Sequence, residues 1–154
     1  MQTDPKPLVA VVDYHSASPL FEDRLVPVSA LAQILNAGHM ALTGDSFEPG
    51  RFLLLHSPER KAALRHAFGQ PGLTHAPVVI AAISEDRWRH RQVLDAFAEL
   101  TRTAEAIGYD TALLDGFDPA AVRQALGLRG EAEVIGLLAI GRFAETLHRN
   151  WRAS

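Results

Sequence analysis

Seven histidines are the first residues of this 154-residue chain that could carry chemistry, because imidazole ligates metals and exchanges protons near neutral pH. Their spacing argues against a metal centre. His15, His39, His56, His66, His75, His90 and His148 are scattered, with no H-x-H, H-x-x-x-H or H-E-x-x-H pair among them. The lack of cysteine removes thiolate-bound zinc, iron–sulfur clusters, disulfides and a thiol nucleophile, and leaves the redox compartment open. Ser16, Ser18, Ser46 and Ser57 carry no signature of an activated nucleophile. Neither G-x-S-x-G, a P-loop nor G-x-G-x-x-G occurs. Arg87-Trp88-Arg89-His90-Arg91 is the densest basic run. Aromatic and arginine side chains together can stack on single-stranded nucleic acid. Yet Glu85 and Asp86 adjoin the run, and the chain is acidic, with a formal charge of −3 and a pI near 6.1. The run therefore reads as a solvated helix face, and no nucleic-acid partner is expected.

Such residues need elements to position them, and the composition allows these to pack. At this length a domain buries about 69% of its extended surface, so residues 1–154 read as one domain that needs no staples. With 47% hydrophobic and 21% charged residues and a mean hydropathy of +0.01, the chain is an ordinary globular one. The thirteen arginines against Lys6 and Lys61 read as genome composition rather than function. No run approaches 18 apolar residues, which excludes a spanning helix. The apolar Leu8–Val12 segment is too short and badly flanked for a signal peptide, so a cytoplasmic protein is expected, with no membrane partner.

Helices and short apolar strands alternate along the sequence. Leu8–Val12 reads either as a strand, from its β-branched residues, or as a helix behind Asp4-Pro5. A helix is predicted from Val28 to Met40, with Leu31, Ile34 and Leu35 on one face and an end at Asn36–Gly38 or shortly after. After a polar loop over Thr43–Gly50, Arg51–His56 suits a buried strand. Ser57 caps a helix that begins at Pro58 and turns Leu64 and Phe68 inward. Following a loop over Gly69–His75, Pro77–Ile83 is too apolar for a sheet with one wet face. Ser84 is expected to cap the longest helix, about Glu85 to Ile107, ended by Gly108. Thr111–Leu114 makes a short strand, Asp115-Gly116-Phe117 a turn, Asp118-Pro119 the cap of a helix closed by Gly127, and Glu133–Ile140 the last strand. Gly141 then opens a polar tail with Arg142, His148, Arg149 and Arg152. Helices must cover both faces of so apolar a sheet, which gives a three-layer α/β or α+β sandwich.

Four segments in order resemble the FMN-dependent nitroreductase family, across nearly the whole chain and most specifically in its last third. Tyr14-His15-Ser16-Ala17-Ser18 lies where that family has a basic-x-Ser-x-basic motif for flavin phosphate and ring oxygens. Ala41 to Phe52 lies over its A-P-S-x-x-N-x-Q-P-W-x-F loop, and Thr74 to Ile80 over its x-x-A-P-V-x-I strand. Ala104-Glu-Ala-Ile-Gly108, Asp115-Gly116-Phe117-Asp118 and Val134–Gly141 look like its closing A-x-x-L-G, G-F-D and glycine-ended strand. The departures are specific. Tyr14 and Ser18 replace both basic residues, Ser46 stands at the family's Asn, Glu48 at its Gln and Gly50 at its Trp. One helix follows Ile83, without room for the family's substrate lid.

The resemblance implies an α+β, nitroreductase-like α/β/α sandwich with a central mixed sheet and a long central helix. It implies FMN as cofactor, NAD(P)H as reductant and an electron-poor small molecule as acceptor. The implied cofactor-binding residues are His15 and Ser16 at the ring or ribityl chain, Ser46, the backbone N–H groups of Asp115 and Gly116 near the flavin, and Arg149 at the phosphate. The bare alternative for Asp115-Gly116 is a plain turn before a capped helix. No metal and no catalytic side chain is implied. A flavin-free descendant that keeps the fold as a binding or scaffold protein is the rival expectation. A homodimer is expected too. The long helix carries one apolar stripe through Leu94, Phe97, Leu100, Ala104 and Ile107 and a second starting at Val93 and Ala96, and one sheet face covers only one of them. The alternative is that the Pro119–Leu126 helix buries both stripes within one subunit.

Overall fold

The computed structural model describes residues 9–12, 21–42, 50–68, 76–114 and 117–144, with 9–12 and 65–68 described for the backbone only. Along them run β1 (Val9–Val12), α1 (Val28–Leu42), β2 (Gly50–Leu55), α2 (Pro58–Phe68), β3 (Val78–Ser84), α3 (His90–Ala106), β4 (Asp110–Leu114), α4 (Pro119–Ala125) and β5 (Glu133–Gly141). The strands form one sheet in the order β1-β4-β5-β3-β2. β1 lies parallel to β4 and every other pairing is antiparallel, so the sheet is mixed, as expected. Of the Leu8–Val12 segment, open between helix and strand in the sequence, the described residues Val9–Val12 form an edge strand with Val9 opposite Thr111 and Val12 opposite Leu114.

All seven residues of β3 are buried, because helices cover both faces of the strand. Val78, Ile80 and Ala82 join Leu138 and Ile140 against Ile34 of α1 and Val93, Phe97, Leu100 and Ala104 of α3. Val79, Ala81 and Ile83 join Leu137 and Ala139 against Leu64 of α2 and Val122 of α4. This is the α+β three-layer sandwich. Each fully buried leucine, isoleucine or valine contributes about 1.5–3 kcal/mol, so the two apolar faces of β3 hold the layers together.

The helix expected from Val28 to Met40 runs to Leu42, and Gly38 within it is the point where α1 crosses α3. A Cβ there would stand 2.8 Å from Phe52 Cε2 and 3.0 Å from Leu100 Cδ1. Two other features depart from the sequence reading. The helix expected over Glu85–Ile107 is broken at its start into a 3₁₀ turn, Arg87–Arg89, followed by α3. Ser84 is the last residue of β3 and its Oγ donates to Asp86 O (2.9 Å), while Asp86 Oδ1 accepts from Trp88 N–H (2.9 Å). Asp86, not Ser84, is therefore the cap. With 17 residues, α3 is about 25 Å long rather than about 33 Å. Finally, the two stripes of the long helix form one buried face, Val93, Ala96, Phe97, Leu100 and Ala104, while Leu94 remains 44% exposed. The cover comes from the sheet and α1, since α4 lies on the other side.

Other local signals stand as read. Ser57 Oγ accepts from Arg60 N–H (3.3 Å) and Asp118 Oδ1 from Ala120 N–H (3.0 Å), each capping its helix. Gly108 and Gly127 end α3 and α4 with φ of +99° and +67°. Arg123 of α4 donates to the carbonyls of Gly130 and Ala132, fixing the entry to β5. The Phe68 side chain and the loops over 43–49 and 69–75 lie outside the described residues.

At the Asp110 end of the sheet a polar cluster pins the layers. Thr111 Oγ1 donates to Glu105 Oε2 (3.0 Å) and Asp110 Oδ2 accepts from Phe143 N–H (2.8 Å). Arg142 donates to Gly108 O (2.8 Å) and lies over the Tyr109 ring. Burial raises the Glu105 carboxyl above its ordinary value of 4.5, with Asp110 adding to the rise and the Thr111 hydrogen bond opposing it.

Two outcomes follow from this packing. A Cβ at Gly50 would lie 2.3 Å from Ile83 O and 2.7 Å from Val93 Cγ2, whereas one at Gly108 meets nothing. Gly50→Ala should therefore cost about 3 kcal/mol in urea unfolding, against roughly 1–2 kcal/mol for Gly108→Ala, which bears only the positive-φ strain. Equal losses would show that the β2–β3 contact yields freely. Glu105 binds its proton more tightly folded than unfolded, so its contribution to stability is complete at acid pH and is lost as pH rises through the raised value. Glu105→Gln keeps an acceptor for Thr111 and should melt above the parent at neutral pH. The gap should close as pH falls below the ordinary glutamate value of 4.5, and a gap independent of pH would exclude this linkage.

Candidate functional site

Strand direction decides which chain ends meet. β4 leaves the sheet at Leu114, and its parallel neighbour β1 leaves at Val12, beside it. β5 begins at Glu133, opposite Ser84 at the end of β3, and Ser84 is opposite Gly50 at the start of β2. All five termini therefore lie at one end of the sheet. Val12 is three residues before His15, Leu114 directly precedes Asp115-Gly116, and Gly50 is four residues after Ser46. His15, Ser16, Ser46, Asp115, Gly116 and Arg149 themselves lie outside the described residues. For five of them the adjoining strand ends converge on this one edge. Arg149 differs, since β5 departs at Gly141 from the opposite end.

The convergent end is polar and tightly built. Arg51 Nε pairs with Glu85 Oε1 at 3.0 Å, tying β2 to the turn after β3. His90 Nε2 stands 3.7 Å from Glu133 Oε2, buried and without a hydrogen-bond partner. Gly50, where the resembled family has tryptophan, leaves no room for any side chain, because Ile83 O and Val93 fill the space. Beyond this rim, Trp88 projects into solvent, 87% exposed.

At the other end lies a groove of about 1020 Å³, which the sequence did not reveal. Leu31 and Leu35 of α1 form one wall and Leu54 and Val78 of the sheet the floor, with His56 and Lys61 at its edge. Lys61 Nζ donates to Ala76 O (3.2 Å). The exposed Leu25 and Val28, 92% and 81% accessible, stand on its rim. Only their apolar character just before a helix hinted at it.

Among the described residues the convergent end carries the Arg51–Glu85 and His90–Glu133 pairs, and the groove edge carries His56 and Lys61. The hydroxyls of Ser84, Thr101 and Thr103 donate to main-chain carbonyls, and that of Thr111 to a carboxylate. Among the described residues no group of three histidine, aspartate or glutamate side chains could hold a metal ion, and no helix is long and apolar enough to cross a membrane.

Comparison with known proteins agrees with the architecture. The NADH dehydrogenase of Thermus thermophilus is 29% identical over 78% of this chain and 78% of its own. Among solved structures, a nitroreductase family protein from Clostridium difficile 630 superposes with a TM-score of 0.72 at 19% identity, covering 86% of this chain and 82% of that one. An FMN-dependent nitroreductase from Clostridium difficile R20291 gives 0.70 at 18% identity, with 86% of each chain covered. At such identities the structures establish the fold. The model of the nitroreductase family matches residues 61–142, more than half of the sequence, and the chain belongs to that family.

Proposed function

We propose that this protein is a cytoplasmic, homodimeric FMN-dependent oxidoreductase that carries reducing equivalents from NAD(P)H to an electron-poor small molecule. The observation that carries this reading is the convergence of the Val12, Leu114 and Gly50 strand ends, from which the resembled flavin segments depart. It is supported by the fold and by relatives described as an NADH dehydrogenase and as an oxidoreductase containing FMN. The described residues fit a flavin in that β4 ends directly before Asp115-Gly116, where two backbone N–H groups follow a strand paired on both sides.

Bound FMN would supply hydride acceptance and donation, and the chain would bind and orient it. Asp115 and Gly116 would offer their N–H groups to the ring. His15 and Ser16 would hold ring or ribityl oxygens, Ser46 would line the site, and Arg149 would meet the phosphate. Eight extended residues span at most about 29 Å, and β5 alone is roughly 30 Å long. Phe143 is still held at the Asp110 end by its hydrogen bond to Asp110, and the six residues from there to Arg149 span at most about 22 Å, which favours Arg149 serving a second copy. The surface for that contact lies along α1, where Val28 and Met40 are 81% and 67% exposed, and at Leu94 of α3, rather than on the covered α3 stripe.

The purified protein should be yellow, with the visible absorbance of oxidised flavin. A colourless protein that takes up no added FMN would instead establish the flavin-free binding reading, which the loss of basic residues at Tyr14 and Ser18 favours. Arg149→Ala should weaken FMN by roughly ten- to a hundredfold, as loss of one charge-assisted bond implies, while Arg89→Ala should leave it nearly unchanged. Comparable losses at both positions would remove Arg149 from the site. Light scattering should give twice the 16.8 kDa subunit mass, and a monomer mass would reject a two-subunit flavin site.

A further inference from the structure

Trp88 is exposed to an extent that the fold does not require. Its side chain is 87% accessible, although burying an indole is worth several kcal/mol to any core. The turn that presents it is rigid. Ser84 Oγ and Arg89 N–H both donate to Asp86 O, and Trp88 N–H donates to Asp86 Oδ1. Arg87, exposed beside it, has no ion pair or hydrogen bond among the described residues. The nearest acids are engaged elsewhere: Glu85 pairs with Arg51, Asp86 caps the turn, Glu133 faces His90 and Asp95 faces Arg91. An exposed aromatic and an exposed cation without a partner among the described residues thus occupy consecutive positions of one turn, shortly after β3, at the sheet end where the strand termini converge.

We infer that Trp88 and Arg87 form the docking platform for the dinucleotide reductant, the indole stacking on one of its rings and the guanidinium meeting a phosphate. The inference rests on the oxidoreductase reading above and names the surface that selects its reductant. A planar ring bearing phosphates is the chemistry these two side chains complement together: stacking on tryptophan is tolerant of ring identity, and arginine pairs with phosphate in a bidentate fork. An acidic protein segment would satisfy Arg87 and leave the indole wet.

The test uses Trp151→Phe as background, so that Trp88 is the sole tryptophan, titrated with NAD⁺ and with NADP⁺, which bind without turnover. Quenching of Trp88 emission is expected, weakening about tenfold in apparent affinity when Arg87→Ala is added, together with a shallower dependence on salt. In the chain that keeps Trp151, Trp88→Leu should raise the KM for the reductant by a similar factor and leave kcat nearly unchanged. Arg102→Ala, which removes an exposed arginine paired with Glu99 on α3, should change neither quantity. Absence of quenching, quenching indifferent to Arg87→Ala, or quenching by a single-stranded oligonucleotide but not by the dinucleotides would each overturn the proposal. Flavin content is read separately from visible absorbance. Colourless protein that still quenches keeps the platform and loses the flavin reading, whereas yellow protein without quenching does the reverse.

Discussion

Everything in this molecule depends on β3 being apolar on both sides. A strand with seven buried residues has no tolerable wet face, so it must lie inside a sheet and between two helical layers. β2 and β5 satisfy its backbone, α1 and α3 cover one face, and α2 and α4 cover the other. The directions of the neighbouring strands then follow from antiparallel pairing with β3. Those directions gather five strand termini at a single edge, so the placement of the candidate site is a consequence of core packing.

Close approach of elements sets the detail. Where α1 crosses α3 the absence of a side chain at Gly38 lets Phe52 and Leu100 fill the space, and where β2 meets β3 the same holds for Gly50. The α1–α3 contact also explains why the amphipathic α3 needs no second subunit to cover its main stripe. Apart from Trp88, the large apolar side chains exposed among the described residues are Leu25, Val28 and Met40 on and beside α1, and Leu94 of α3. The two ends of the sheet are closed differently. The Asp110 end is pinned by Glu105, Thr111, Arg142 and Phe143, while the other is held by the Arg51–Glu85 pair and the Asp86 cap. That second arrangement leaves one large aromatic, Trp88, exposed.

The hydroxyls of Ser84, Thr101, Thr103 and Thr111 are engaged with carbonyls and a carboxylate, which suits a site that works by placed donors and strand ends, as the proposed flavin chemistry requires. Chemistry of this kind depends on binding and electrostatics supplied by the fold, and it leaves no nucleophile or metal-ligand spacing for a motif search to find. That is why histidine and serine patterns were silent while segment order along the chain was informative.

The sequence by itself determined the elements whose signals are local. The apolar runs of β2, β3 and β5, the caps at Ser57 and Asp118, and the terminating Gly108 and Gly127 depend on residues within a few positions of one another, so periodicity and capping rules reach them. The ordered segments from Tyr14 to Gly141 likewise carried the family. Tertiary structure alone decided the rest. Why position 38 is glycine shows only once Phe52 and Leu100 pack against it, and Ser84 looks like a cap until β3 pairs with Glu133 and claims it as a strand residue. Leu8–Val12 has both strand and helix character, and only the exposed edge of β4 selects the strand. The exposure of Trp88 depends on where the turn points after the sheet has twisted, which no local pattern encodes. Contacts between residues distant in sequence fix these features, and their free energy exists only once both partners are folded.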